Sequence, residues 1–565
     1  MAPPDPTGSS ALALSGRASD RARRRSVFPA NRRGVGHPWL TLLAAAFGLG
    51  MIGLDSTIVA VANPTIGHHF HATLPQLQWV TNAYLLALAV TLITGGKLGD
   101  QLGRKRIFLI GTAGFALASL ACGLSTSLGE LIAFRAMQGV FGAIMVPQTL
   151  ATLRATFPLE KLAAAIGLWT MSSSLGIASG PIAGGLLISH TSWRWIFFVN
   201  VPVAAVSLLV GTWVIRESRD RAEGRRFDPP GIALLTGTLF TLIWGLIDAE
   251  KHGWGHFTPF AWLITAAVLL GLFTAWEVRE ERVRQPHIPL SLFRSAQFSS
   301  GVVMALAVMI GLYSVLFFVS LYLQRVHGYT ASQTGVRLLA LTGVMGISAF
   351  AGSRAVAKIG PRVPLLVGAL LSAGGLVGLS RLGPQTSFSS IWPFLALVGL
   401  GFGPAQTAFA RAIVGGAPPG QAGIAGGMTS TAVQIGGMLG LSVLGSVIVS
   451  RVTSTLPHKL TQAGVPSQLV HQLQGTGHSI AQGIVPIPSG LPASTAQAIT
   501  KSDLLAFTAG LDAAMAIAAA IVLVTGIVAF LAVGISAGAT RVAAVRSNTP
   551  REIGAEPSEP SQRAA

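Results

Sequence analysis

Residues 167–188 read GLWTMSSSLGIASGPIAGGLLI, and this stretch decides how the rest of the chain is read. It is apolar over a length that crosses a bilayer, which takes about 20 residues of helix. Yet Gly176, Gly180 and Gly184 recur every four residues, with Pro181 and Gly185 beside them. Glycines at that spacing give a helix one smooth face on which another backbone packs closely. The proline deletes a backbone hydrogen bond and bends the helix. In water this is a poor helix; in a membrane, neighbouring helices re-satisfy the freed groups. The stretch predicts a bent, tightly packed transmembrane helix.

Composition extends that reading to the whole chain. Of 565 residues, 51% are hydrophobic and only 10% charged, where a soluble domain carries about 25% charged residues. The protein reads as a polytopic membrane protein. A net charge of +19 would suit nucleic acid, but the basic residues sit in short clusters between apolar runs, without interleaved aromatics for base stacking. Nucleic acid is therefore excluded as a partner. The lone Cys122 lies in an apolar span, so no intrachain disulfide forms. The Arg-rich start has one apolar piece, residues 11–14, too short for the core of a signal peptide.

Apolar stretches of spanning length fall near 39–62, 78–98, 107–126, 130–153, 163–189, 195–215, 231–249 and 258–277. After a break, others follow near 298–323, 334–354, 363–382, 390–412, 422–450 and 506–534, about fourteen in all. Arg21 to Arg33 precede the first. Alternate connections then carry Lys97 with Arg104 to Arg106, Arg154 and Lys161, Arg216 to Arg226, Arg279 to Arg294, Arg354 to Arg362, Arg411, and Arg541 with Arg546. By the positive-inside rule these lie in the cytoplasm, so both termini are expected there. Residues 451–505, rich in Ser, Gln, Pro, Gly and Thr, read as a solvated outer loop with room for a short amphipathic helix, the alternative being a gate or partner-binding cap. A faint internal repeat lays SRAVAKIGPRV at 353–363 over GKLGDQLGRKR at 96–106, with Gly360 on Gly103 and Ala357 where Asp100 stands. Duplicated halves with the site between them are a common transporter plan.

Few polar groups sit at membrane depth. Asp55 lies deep in the first span and Arg135 in the fourth; a charge there costs at least ~2.5–3.5 kcal/mol and usually faces a cavity. Counting residues from the outer rim puts both roughly 7–11 Å deep, so they are able to pair. Two readings stay open: a fixed ion pair, or a carboxyl that takes up and releases a proton as Arg135 approaches and withdraws. Gln138, Gln434, Thr429 and Thr431 are candidates for lining a substrate path. Asp248, Glu250, Asp512 and Arg337 read as interfacial. His68, His69 and His71 lack the acids of a metal site and read as a solvated loop. No P-loop and no nucleophile–base pair is present, so the protein is expected to be neither an ATP-driven pump nor an enzyme, with no cofactor but a proton gradient.

The loop at 96–106 combines Gly96, Asp100, Gly103, Arg104, Lys105 and Arg106. As a unit, Gly-x-x-x-Asp-x-x-Gly-Arg-Lys-Arg resembles the major facilitator superfamily, whose loop between the second and third helices carries it. The resemblance implies that Asp100, Arg104 and Arg106 act in a conformational latch. LDSTIVAVANP at 54–64 is similar to the first-helix signature of the fourteen-helix drug/proton antiporter branch, departing at Ala60-Val61-Ala62 where the branch usually has Asn. RAMQGVFGA at 135–143 resembles the fourth-helix Arg motif implicated in proton transfer, and SWRWIFFVNVP at 192–202 a hallmark of the same branch; physically it reads as an aromatic belt with Arg194 at the outer interface. Gly176, Gly180, Pro181, Gly184 and Gly185 match the fifth-helix antiporter motif, which within the superfamily marks exporters. The thirteenth span lacks the acid that some relatives carry, which tells against efficient export of divalent cationic drugs.

The fold this implies is an all-α membrane protein: a basic tail at 1–37, a six-helix bundle at 38–216, two inserted helices within 217–290, a second bundle at 291–535, and a disordered cytoplasmic tail at 536–565. The function it implies is a proton-coupled exporter of small, largely hydrophobic compounds such as drugs or secondary metabolites, monomeric in the cell membrane. The alternatives are export of a physiological solute such as an amino acid or siderophore, and a non-transporting sensor or scaffold.

Overall fold

The structure is a computed structural model and describes residues 37–219, 228–283, 289–418, 421–474 and 491–547. The basic tail through Gly36 and the segment from Asn548 onward lie outside the described residues. Those described are almost entirely helical and contain no strand. Fourteen helices are long and apolar enough to cross a membrane. Hydrocarbon offers no hydrogen bonds, so each span must satisfy its backbone internally.

In chain order the first six are α1 (Pro38–Phe70), α2 (Leu74–Leu102), α3 (Arg104–Leu124), α4 (Leu128–Thr156), α5 (Leu159–His190) and α6 (Trp195–Val214). Two more follow, α7 (Pro229–His252) and α8 (Phe257–Val283). The last six are α9 (Ala296–Arg325), α10 (Ala331–Ile359), α11 (Arg362–Leu379), α12 (Phe388–Gly416), α13 (Ala422–Gln462) and α14 (Ala493–Ser547). Successive spans alternate in direction. The turns at His71, Ser125 and Gly328 share one end of the bundle, here the His71 end, and those at Gly103, Phe157 and Gly360 share the other.

α1 to α6 pack into one half and α9 to α14 into another, and the halves meet along two seams, α5 against α10 and α2 against α13. The inserted α7 lies along the α2–α13 seam, while α8 packs chiefly on α7. The repeat seen in the sequence has a backbone counterpart. Gly103 after α2 and Gly360 after α10 both have positive φ, 116° and 77°, where glycine carries no Cβ penalty.

Two expectations are corrected. The segment expected as a loop from 451 begins and ends as helix: α13 continues to Gln462 and α14 begins at Ala493, while the short helix at Ser467–Gln474 agrees with the helix expected within it, and residues 475–490 lie outside the described ones. Val452, Leu456 and Leu460 recur every four residues and are buried, so an apolar stripe carries α13 onward. Likewise the tail expected to be disordered from 536 is helical to Ser547, a run rich in alanine, the best helix former.

The Asp55–Arg135 site and the seams between the halves

α4 places Arg135 and Gln138 one turn apart on the same face, and that face looks at Asp55 on α1. The Arg135 guanidinium donates to Asp55 Oδ2 at 2.6 Å and to Gln138 Oε1 at 2.6 Å. Gln138 Nε2 donates to Asp55 Oδ1 at 2.9 Å, and Asn200 Nδ2, from the start of α6, donates to the same oxygen at 3.0 Å. Both amides also donate to Ser119 Oγ on α3, at 3.2 and 3.0 Å. Arg135 Nε donates to the Val80 carbonyl at 3.1 Å, and its guanidinium carbon lies 4.2 Å from the centroid of the Tyr84 ring.

The carboxylate therefore has a guanidinium and two amide donors, and its side chain is fully shielded, as is that of Arg135 but for 1%. Burying both charges costs several kcal/mol per ion before pairing. That cost is tolerable only because every oxygen of Asp55 is occupied. Removing one partner from such a pair typically costs ~3–5 kcal/mol. The arrangement holds a carboxylate and a guanidinium together out of water, with both carboxylate oxygens partnered.

Beside this site the halves meet at a small crevice lined by Ser56, Ala60, Thr81, Tyr313, Phe317 and Leu441. Here α9 contains a single π turn, Val315–Val319, a local departure often found at functional positions.

The fifth helix presents two glycine faces. A side chain at Gly176 would collide with the Gly50 carbonyl, and one at Gly180 or Gly184 with Thr57 or Ile58, all on α1. Gly185 looks the other way: a methyl there would stand 2.5 Å from the Ala331 carbonyl at the start of α10, and Pro181 lies against Gly335. One face thus holds the first half together, and the other closes the seam between halves. α5 runs unbroken through Pro181. The proline leaves the Ile177 carbonyl without its usual donor, and Thr57 Oγ1 on α1 supplies one at 3.0 Å. The adjacent Ala178 carbonyl accepts from Thr342 Oγ1 of α10 at 3.2 Å.

Further cross-half hydrogen bonds cluster toward the His71 end. Asn82 Nδ2 donates to Ser442 Oγ at 3.0 Å, Gln324 Nε2 to the Val61 carbonyl at 3.2 Å, and the Ser332 amide to Ser189 Oγ at 3.1 Å. At this end the halves are closed on each other.

In the loop at 96–106, Arg104 bridges Asp100 at 2.8 Å. Glu217, beyond the end of α6, accepts from the Lys105 amide at 3.1 Å and lies 3.7 Å from Arg106. A side chain at Gly103 would meet that carboxylate, and Gly96 lies beside Pro147.

The path candidates fall in different places. Gln138 belongs to the Asp55 network. Thr431 is buried, 3.5 Å from the Ala89 carbonyl across the α2–α13 seam. Thr429 bonds within its own helix, and Gln434 Oε1 is buried without a hydrogen-bond partner. Glu250, expected at an interface with solvent, is instead 1% exposed. Arg337 stacks on Tyr329, 3.8 Å from the ring centroid. Arg194 donates to the Gly123 and Ser125 carbonyls, fastening α6 to the end of α3. The sequence reading missed Asn200, Ser119, Tyr84, Thr57 and Glu217. Asn200 had a signal, as the one polar residue in the apolar run 195–206.

Fourteen spans in two six-helix halves plus an inserted pair, with one dry ion pair beside the seam, define a multi-pass membrane protein of transporter architecture. The chain belongs to the major facilitator superfamily, whose description matches residues 45–441. It is similar to the tetracenomycin C resistance and export protein of Streptomyces glaucescens, 42% identical over 496 residues that cover 87% of this chain and 91% of that one. It is also similar to the multidrug efflux pump LfrA of Mycolicibacterium smegmatis, 30% identical over 88% of this chain and 96% of the pump. The fold resembles that of a bacterial homologue of the human lysosomal transporter Spinster, with a TM-score of 0.58 at 18% identity, covering 88% of this chain and 96% of that chain.

Proposed function

We propose that the protein is a proton-driven exporter of small, largely apolar compounds of the antibiotic class, with both termini in the cytoplasm. The single observation that carries the coupling is the Asp55–Arg135 pair, dry and fully partnered beside the inter-half seam. Proton coupling needs a carboxyl that is occluded in one state and wetted in the other. Opening the seam beside α1 and α2 separates Arg135 from Asp55 and admits water; the carboxyl then takes a proton, and closing returns the charge to Arg135 with the proton released to the other side.

Direction and cargo are supported by the exporters among the relatives, above all the tetracenomycin C resistance and export protein, and by the antiporter glycines of α5. The basic connections at the Gly103 end support placing that end in the cytoplasm. In this reading Asp55 carries the proton and Arg135 modulates it. Asp100 with Arg104 and Arg106 hold the cytoplasmic loop, and the face at Gly185 seals the seam against leak.

The test uses inverted membrane vesicles with an acid interior. Adding tetracenomycin C, or puromycin as a second probe, is expected to dissipate part of the pH gradient only when the protein is present. No dissipation with either, or with a broad panel of apolar antibiotics, would contradict the reading.

A further inference from the structure

Glu250 lies in the last turn of the first inserted helix, and its carboxyl is driven into the α2–α13 seam. Gln78 Nε2 of α2 donates to Glu250 Oε1 at 3.1 Å and reaches the Leu441 carbonyl of α13 at 3.2 Å. Glu250 Oε2 is buried with no hydrogen-bond partner. A side chain at Gly445 on α13 would collide with both the Gln78 amide and Glu250 Oε1, so the helix supplies a glycine-sized cradle for this pair. One turn along α2, Asn82 bonds to Ser442 across the same seam. One carboxyl thus joins the insert, the first half and the second half, at the end where the halves are closed.

Among the described residues, its surroundings hold little to offset a charge. On its own helix, Asp248 and His252 pair with each other at 2.9 Å. The Lys251 side chain lies outside the described ones. On α13 the nearest charged residue along the helix is Arg451, exposed and six positions beyond Gly445; the turn before α8 carries His256, also exposed, and α8 itself has no charge before Glu277. The portion of α2 facing Glu250 carries amides and no charge. An ionised carboxylate sealed here would keep a single amide donor, whereas the neutral acid is far cheaper to bury.

We propose that Glu250 is a second protonatable group of this transporter, a gate carboxyl whose protonated form locks the α2–α13 seam shut and whose ionised form favours its opening. On opening, the carboxyl O–H proton passes to water at the His71 end. On closing, a proton returns from that same side. The group therefore gates without adding to the protons carried across. It also gives the inserted helices a task, as the arm that places this carboxyl. The inference rests on the exporter reading only in requiring that the seam opens.

The full-length protein tests it in lipid nanodiscs. Spin labels at Gly129→Cys and Gln385→Cys, both exposed at the His71 end on opposite halves, report opening by electron–electron distance; native Cys122 is buried. Opening also loads a proton onto Asp55, which opposes the release from Glu250, so the pH series is read in the Asp55→Asn chain. There the ratio of open to closed molecules is expected to rise with pH by up to about tenfold per unit, the limit for one linked proton. Adding Glu250→Gln, which keeps the acceptor for Gln78 but cannot ionise, is expected to flatten that slope at the closed level. Gly445→Ala is expected to raise the open population at acid pH by pushing Gln78 and Glu250 apart. A slope in Asp55→Asn that Glu250→Gln leaves unchanged, or no slope in Asp55→Asn at all, overturns the inference and leaves the exporter reading intact. If Glu250→Gln does not fold, an unaltered open population in Gly445→Ala overturns it. A seam that opens at no pH in the unsubstituted chain overturns both.

Discussion

Asn200 Nδ2 stands 3.0 Å from Asp55 Oδ1 and equally 3.0 Å from Ser119 Oγ. This amide ties the start of α6 to α1 and α3 at the point where the buried carboxylate sits. Asn200→Leu removes the donor and leaves both oxygens short of a partner, at a cost of about 1–3 kcal/mol. Transport is expected to fall about tenfold with the protein still folded, and Asn200→Gln to recover only part of it. Proteoliposome uptake and thermal unfolding in detergent measure the two effects separately.

The proline of α5 is answered by a hydroxyl from α1. Because Pro181 has no N–H for the Ile177 carbonyl, Thr57 Oγ1 serves it instead. Thr57→Val conserves shape and removes the donor, so it is expected to destabilise by about 1 kcal/mol. In a Pro181→Ala background the new backbone N–H takes over, and the same substitution is expected to cost little. A double-mutant cycle on thermal stability reads this coupling directly.

The two glycine faces of α5 separate stability from tightness. Gly176→Ala collides with the α1 backbone inside one half, and overpacking there is expected to cost about 1–3 kcal/mol, seen as a lower unfolding temperature. Gly185→Ala meets the start of α10 across the seam, 2.5 Å from the Ala331 carbonyl. It is expected to leave the unfolding temperature near that of the unsubstituted chain while raising the passive proton leak, measured with a pH dye in proteoliposomes.

Much of this was legible in the sequence because hydrocarbon is an exacting solvent. Runs of apolar length, the basic connections between them, and Asp55 and Arg135 stood out against it. Of their partners, Asn200 showed only as a lone polar residue in an apolar run; what it and Ser119 bind, like what Thr57 does for the Ile177 carbonyl, depends on the helix opposite. Glu250 misled for a related reason. At the end of an apolar run it looks like a residue reaching for water, and only the packing of α7 along the α2–α13 seam reveals that no water is there. The continuation of α13 past 450 was hidden by composition, because Ser, Thr and Gln there conceal the stripe of Val452, Leu456 and Leu460. The glycine spacing of α5 foretold close packing, whereas its division between α1 and α10 depends on which side of the helix each glycine takes.

In the proposed mechanism Asp55 carries the proton, and transport by Asp55→Asn in proteoliposomes, with and without a pH gradient, tests this most directly. Asparagine keeps the size and one acceptor of Asp55 but leaves Arg135 uncompensated, at a cost of about 3–5 kcal/mol, so thermal unfolding is measured beside transport. We expect accumulation of tetracenomycin C driven by the gradient to fall by at least about a hundredfold, the scale of a lost ~3 kcal/mol interaction, while gradient-independent exchange of the same compound persists. Gradient-driven accumulation at the unsubstituted rate would contradict the account and place the proton on another residue.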